Sequence, residues 1–202
     1  MADKKKLDEK AIVEENTKKA ARDMFLEYGP FIILIVFILI IRIFIASPFK
    51  VDGTSMSPTL EDRDYMLLYK LKKHVKGIHR EDVVVIDSSQ GLIIKRVIGL
   101  PNESLKYEVK EVDGVVKGIL YIDNKIYEEN FITDDVKTKT CINNPKLCNE
   151  GIELGEDEYF VMGDNRSVSL DSRMLGSFHS KDIKGIAELR LFPFSKFGNI
   201  KK

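Results

Sequence analysis

The 202-residue sequence contains no tryptophan, three histidines, two cysteines and no excess of either charge, with 32 basic and 32 acidic side chains. Each scarcity removes a class of protein. Nucleic-acid binders need a basic excess to meet phosphates, so the balanced charge points to no nucleic-acid partner. Two cysteines cannot support a disulfide framework, and an apolar core has to hold the fold. His74, His79 and His179 are scattered, and with a Cys-x6-Cys pair they match no zinc spacing, so neither a metal nor another cofactor is expected. Cys141 and Cys148 are open to two readings: a small loop closed by a disulfide in oxidising surroundings, or two free thiols. Internal repeats and low-complexity tracts are also lacking.

What the chain does have is one long hydrocarbon run. Phe31–Ile41 is uninterrupted, and Ile43–Ala46 extends it past Arg42. The 22 residues from Tyr28 to Phe49 suffice to cross a bilayer, with Tyr28 and Lys50 at the interfaces and Arg42 near one end, where its stem can snorkel. A buried core helix is the alternative, but the run has no polar face to show water. A cleaved signal peptide would need small residues spaced as in A-x-A. Cutting after Ala46 leaves Phe44 two residues upstream, and cutting after Ser47 leaves Ile45 there with Pro48 just beyond. The segment therefore reads as a retained anchor over 30–47, between an N-terminal segment (1–29) and an outer domain (48–202). Lys4, Lys5, Lys6, Lys10, Lys18, Lys19 and Arg22 precede the span and favour a cytoplasmic N-terminus. Residues 1–29 fit either a short amphipathic helix or a disordered arm.

Past residue 50 the pattern changes to short alternating or β-branched runs: Tyr65–Tyr69, Asp82–Ile86, Leu92–Ile98, Tyr107–Val112, Val115–Asp123, Lys125–Tyr127, Glu158–Met162 and Ile183–Phe192. Turn formers separate them, among them Asp113-Gly114, Asp123-Asn124 and Gly163-Asp164-Asn165. No sustained helical period follows the anchor. The fold class is mostly β, behind a single N-terminal transmembrane helix.

Two residues carry the candidate chemistry. Ser55 lies in Gly53-Thr54-Ser55-Met56-Ser57-Pro58, where Gly53 permits a backbone conformation closed to other residues and Pro58 stiffens the exit. Such serines are ordinarily turn residues, yet a fixed, exposed bend is also what a nucleophile needs. Lys95 sits in Leu92-Ile93-Ile94-Lys95-Arg96-Val97-Ile98, where alternation places Lys95 and Arg96 on opposite faces, both apolar. Burial disfavours the ammonium and lowers its pKa, so a neutral amine can accept the serine proton; arginine cannot be neutralised so readily. The plainer reading is a lysine guarding a strand edge. None of the three histidines has a context built for catalysis, although His179 is the alternative base. In Gly163–Arg173 a structural loop is the default. Ser169 is a candidate to orient the lysine amine, and Asp171 with Arg173 a candidate local ion pair.

Ser55-Met56-Ser57-Pro58-Thr59-Leu60, Asp82-Val83-Val84-Val85, Lys95-Arg96-Val97-Ile98-Gly99-Leu100-Pro101 and Gly163-Asp164-Asn165-Arg166…Ser169…Asp171-Ser172-Arg173 resemble, in order, the successive boxes of bacterial type I signal peptidases. With the anchor, the resemblance spans roughly residues 30–190. It implies a membrane-bound serine endopeptidase that removes signal peptides from exported preproteins, with its partners the preproteins and the lipid bilayer. It implies a single-pass protein of the bacterial cell membrane, its largely antiparallel β domain extracytoplasmic. Ser55 would be the nucleophile and Lys95 the general base. Ser169 would be bonded to the lysine, Asp171 and Arg173 would support the site, and the Ser55 N–H would help bind the oxyanion. Gly53 stands where some members have a serine whose hydroxyl assists, and Asn102 and Val168 depart from the family's usual Gly and Asn. An inactive homologue that binds signal peptides as a scaffold is the alternative; the presence of Lys95 counts against it. Only eight residues separate Ala46 from Ser55, a reach of under about 30 Å, so the serine lies close to the membrane surface.

Overall fold

Charge gives way to hydrocarbon along the N-terminal helix. The computed structural model describes residues 2–143 and 145–200. It opens with helix α1 (Ala2–Ile40), which continues through Gly29-Pro30 and ends in a π-helical turn, Ile41–Ile45. The charged segment and most of the apolar run are thus one helix, but the span expected over 30–47 overruns it: Ala46 and Ser47 already belong to a strand, Ala46–Lys50, whose backbone is held by sheet pairing. Its large apolar side chains from Phe31 to Ile40 are all exposed, and by length and composition the helix can cross a membrane. The chain divides into two units, one ending at Phe44 and the other starting at Ile45.

The second unit is built of antiparallel strands: β1 (Ala46–Lys50), β2 (Tyr65–Tyr69), β3 (Val83–Ser88), β4 (Gly91–Gly99), β5 (Ser104–Val112), β6 (Val115–Ile122), β7 (Lys125–Tyr127), β8 (Ile152–Glu153), β9 (Glu158–Met162), β10 (Phe178–His179), β11 (Ile183–Phe192) and β12 (Gly198–Asn199). The larger sheet runs β1-β2-β11-β3-β4-β9-β10, with β12 beside β11; the smaller runs β7-β6-β5-β8. Four short helices, α2 (Lys72–Val75), α3 (Asp134–Thr138), α4 (Pro145–Asn149) and α5 (Ser172–Leu175), lie in the connections.

The eight strands expected from alternation all form. Two-residue turns close the hairpins at Asp113-Gly114 and Asp123-Asn124, and all four residues have positive φ, as the primed turns that match strand twist require. The expectation left out β1. Its alternation is hidden in sequence because it continues the anchor's hydrophobic run, yet Ala46–Lys50 pairs residue for residue with Tyr69–Tyr65 of β2.

Three apolar clusters hold the unit together. One lies where the smaller sheet meets β4 and β9, around Tyr107, Leu120 and Phe160. The disulfide between Cys141 and Cys148 packs against it. A second, with Val84, Ile86 and Ile186, covers one face of the larger sheet. The third, with Val51, Met56, Leu60 and Met66, sits under the segment that carries Ser55. Met56 and Leu60 are essentially inaccessible, and burying side chains of that size contributes roughly 1.5–3 kcal/mol each toward fixing the turn.

Candidate active site

Ser55 is presented by the connection from β1 to β2, which is tied at its base by Val51 N–H to Asp64 O (2.8 Å) and Arg63 N–H to Val51 O (2.9 Å). Gly53 has φ +88°, in the region that favours glycine, and its N–H is held by the Asp62 carboxylate at 2.9 Å. Met56 and Leu60 pack into the third cluster, while Ser55 is partly exposed.

Lys95 reaches that hydroxyl from β4. Its Nζ donates to Ser55 Oγ and to Ile94 O, each at 2.8 Å, and the residue is 3% exposed. Burial is the main influence on the amine and lowers its pKa from 10.5 to about 8; Asp171 and Asp164 favour the charge, and Arg173 opposes it. The two groups line a groove of about 920 Å³ that continues over Phe49, Val51, Leu68, Val85 and Ile94. Its floor is apolar, with Lys50, Asp52, Lys70, Asp87 and Lys184 among its other lining residues.

The other cation of β4 is buried too. Arg96 is fully inaccessible and forms a two-pronged pair with Asp164 (Nε to Oδ1 2.9 Å, a second nitrogen to Oδ2 2.7 Å), its guanidinium lying 4.2 Å over the Phe131 ring. Two apolar faces require at least one of the two cations to be buried, snorkelling or paired; the structure buries both. The partner of Arg96 was legible only as a turn residue.

Gly163–Arg173 closes over Ser55. Asp171 accepts from Gly163 N–H (2.9 Å) and from Arg173 Nε (2.8 Å), and it caps α5 by accepting from Arg173 N–H. Burial pushes the Asp171 carboxyl upward, but Arg173, Ser169 and the Gly163 N–H outweigh it and keep the group below the usual aspartate value. Ser169 is buried, with its Oγ beside Asp171 and no partner at hydrogen-bond geometry. Among the described residues the Lys95 amine bonds Ser55 and Ile94 rather than Ser169. Gly163 leaves no room for a side chain: a Cβ there would lie 2.2 Å from Ser169 Oγ and 2.5 Å from Ser55 O.

Several supporting residues had no strong signal in sequence. Asn165 bonds the backbone on either side of the serine's nitrogen, through its N–H to Ser55 O (3.0 Å) and its Nδ2 to Thr54 O (3.3 Å). Arg166, fully buried, pairs with Glu129 and donates to Thr140 Oγ1 (2.8 Å) and Gly163 O (3.1 Å). Glu129 also accepts from the Tyr107 hydroxyl at 2.9 Å. The turn-former density of Gly163–Arg173 marks a loop, but nothing local in Glu128-Glu129-Asn130 signals a carboxylate destined for burial. His179, the alternative base, is on β10 and contacts Asp157 O at 3.2 Å.

A serine and a buried lysine amine in contact beside an open apolar groove match the order of motifs along the chain. The sequence model of the family described as signal peptidase, peptidase S26, matches residues 25–192. The chain belongs to this family. A signal peptidase I of Bacillus licheniformis is 32% identical over 189 residues, 92% of this chain and 97% of that protein. Signal peptidase I U of Bacillus subtilis is 36% identical over 174 residues, 84% and 88% of the two chains. A signal peptidase I of Streptococcus pneumoniae is 31% identical over 208 residues, covering 85% of this chain and 95% of that one. A crystal structure of a signal peptidase I from Enterococcus faecalis aligns over 54% of this chain and 95% of its own, at 23% identity and a TM-score of 0.37. In this member of the family a mostly antiparallel β unit follows one N-terminal apolar helix.

Proposed function

We propose that this S26 protein is a membrane-bound serine endopeptidase that removes N-terminal signal peptides from preproteins, with Ser55 as nucleophile and Lys95 as general base. The observation that carries the reading is the 2.8 Å contact between a buried lysine amine and a serine hydroxyl at the wall of the groove. Near neutral pH part of the Lys95 population is neutral, because burial has brought its pKa to about 8. The neutral amine takes the Ser55 proton as Oγ attacks the carbonyl carbon of the scissile bond. Negative charge gathers on the carbonyl oxygen, to which the Ser55 N–H would donate. The lysine ammonium then protonates the leaving amine, and the C–N bond breaks to leave an acyl ester on Ser55. Water completes the cycle: Lys95 takes its proton, hydroxide adds to the ester, and Oγ leaves with that proton.

The supporting groups divide the electrostatic work. Asp171, held charged by Arg173, favours the ammonium, while burial and Arg173 favour the free amine. That opposition suits a base that must also act as an acid. Ser169 and Gly163 fill the space behind Ser55. The extended apolar groove fits a signal peptide segment with small side chains ahead of the cut.

For placement, α1 anchors the protein in the bilayer. The basic residues ahead of the span support a cytoplasmic N-terminus and an extracytoplasmic β unit. The Cys141–Cys148 disulfide supports the same side, since such bonds persist in oxidising compartments. The reading is tested by incubating a preprotein with the detergent-solubilised protein and sequencing the new N-terminus. Wild type should cut once at the end of the signal peptide and Ser55→Ala should not; equal cleavage by Ser55→Ala would overturn the assignment.

A further inference from the structure

The loop that closes over Ser55 grips the nucleophile's backbone from one side, and Asn165 makes the grip. Its side-chain Nδ2 donates to Thr54 O at 3.3 Å. That oxygen belongs to the same peptide unit as the Ser55 N–H. The unit is trans, so its C=O and N–H point in opposite directions within one plane. Holding the oxygen from the loop side therefore sets the direction of the N–H on the other side. A turn bond from Ser57 N–H also reaches Thr54 O, at 3.1 Å, and a second donor limits the tilt that a single bond leaves free.

Two further observations give this arrangement a use. Ser167 Oγ donates to Asn165 Oδ1 at 2.9 Å, so the amide's NH2 end is the one turned toward Thr54 O. Among the described residues, the Ser55 N–H donates to no protein acceptor and is left for a ligand. Tying the loop to the turn does not require the side chain, because the Asn165 backbone N–H already bonds Ser55 O at 3.0 Å.

We propose that Asn165 is a positioning residue for the oxyanion: its amide, oriented by Ser167, aims the Ser55 N–H at the carbonyl oxygen of the scissile bond. The proposal rests on Ser55 being the nucleophile. Asn165 itself touches neither substrate nor reacting atoms. Its contribution belongs to the transition state, because the carbonyl oxygen becomes a strong acceptor only as Oγ adds to the carbon.

The test compares the full-length wild type, Asn165→Ala and Ser167→Ala in detergent. Two probes separate aiming from mere support. One is a peptide aldehyde, whose carbonyl carbon bonds Ser55 Oγ while the serine proton passes to Lys95 and the carbonyl oxygen becomes the anion. The other is the same peptide ending in a carboxamide, which binds the groove without reacting. Outright removal of an oxyanion donor costs about 10²–10³ in rate, so misaiming one should lower kcat by about tenfold or more. For Asn165→Ala the expected results are that loss in kcat, KM within about twofold, a parallel loss of aldehyde affinity and unchanged carboxamide affinity. Ser167→Ala should move the same quantities in the same direction by a smaller factor. The pH of half-maximal rate should not move, since the Lys95 amine keeps its surroundings. An unchanged kcat, or equal weakening of both probes, overturns the role given to Asn165. Cleavage by Ser55→Ala at the wild-type rate would instead overturn the nucleophile assignment on which the role depends.

Discussion

Lys95 is held in a site that opposes its own charge. Its pKa of about 8, against the ordinary 10.5, means that the folded state pays a penalty for the ammonium. Below pH 8 both folded and unfolded chains hold the proton, and the penalty is fully present. Between pH 8 and 10.5 the folded state has shed the proton while the unfolded state keeps it, so the penalty fades and is gone above 10.5. The difference corresponds to roughly 3 kcal/mol at most, less about 1 kcal/mol for each of the hydrogen bonds to Ser55 Oγ and Ile94 O. Lys95→Met should therefore be more stable than wild type at pH 7, by about 1 kcal/mol in denaturant melts, and the gap should close as the pH is raised from 8 toward 10.5. A lysine merely guarding a strand edge would show no such gap. The sequence made this residue legible, because a cation in a run with two apolar faces has few fates. It did not show how Arg96 is satisfied, since Asp164 lies 68 residues away along the chain and reads as a turn former.

At the level of elements, the site is a meeting of three pieces: the β1–β2 connection, β4 and the Gly163–Arg173 loop. β4 and the loop were recognisable by alternation and by turn formers, and the four strands Tyr65–Tyr69, Lys125–Tyr127, Glu158–Met162 and Ile183–Phe192 lie where alternation places them. β1 was not recognisable, because a strand that continues a membrane-spanning run carries no boundary signal. The two-residue strands β8, β10 and β12 are too short to show a period. The loop's closeness to Ser55 was also hidden, since close packing between distant segments leaves no local pattern beyond the glycine that permits it. Gly163→Ala tests that packing. Its Cβ would meet Ser55 O and Ser169 Oγ inside any normal contact distance, so either the turn or the loop must shift. The expected outcome is a loss of about 1–3 kcal/mol in stability and a fall of at least about 100-fold in cleavage rate. Near-wild-type turnover by the variant would show that the loop does not hold the nucleophile.

Considered whole, the protein combines an apolar helix with a β unit whose core is independent of it. All three buried clusters lie in the unit that starts at Ile45. The apolar N-terminal helix and the β class were both readable from hydropathy and alternation, whereas the disulfide was not, because spacing alone leaves Cys141 and Cys148 bonded or free. The proposed topology predicts that protease added to cells stripped of their wall digests the β unit and spares an N-terminal tag. Protection of the β unit with digestion of the tag would reverse the orientation.

The proposed activity depends on a serine activated by a lysine. Its most direct measurement is cleavage of a preprotein in detergent by wild type and Lys95→Met, with circular dichroism on both. Methionine keeps the stem and the apolar contacts and removes only the amine. The Ser/Lys reading predicts a folded variant that does not cut; a folded variant that still cuts would contradict it and place the base elsewhere.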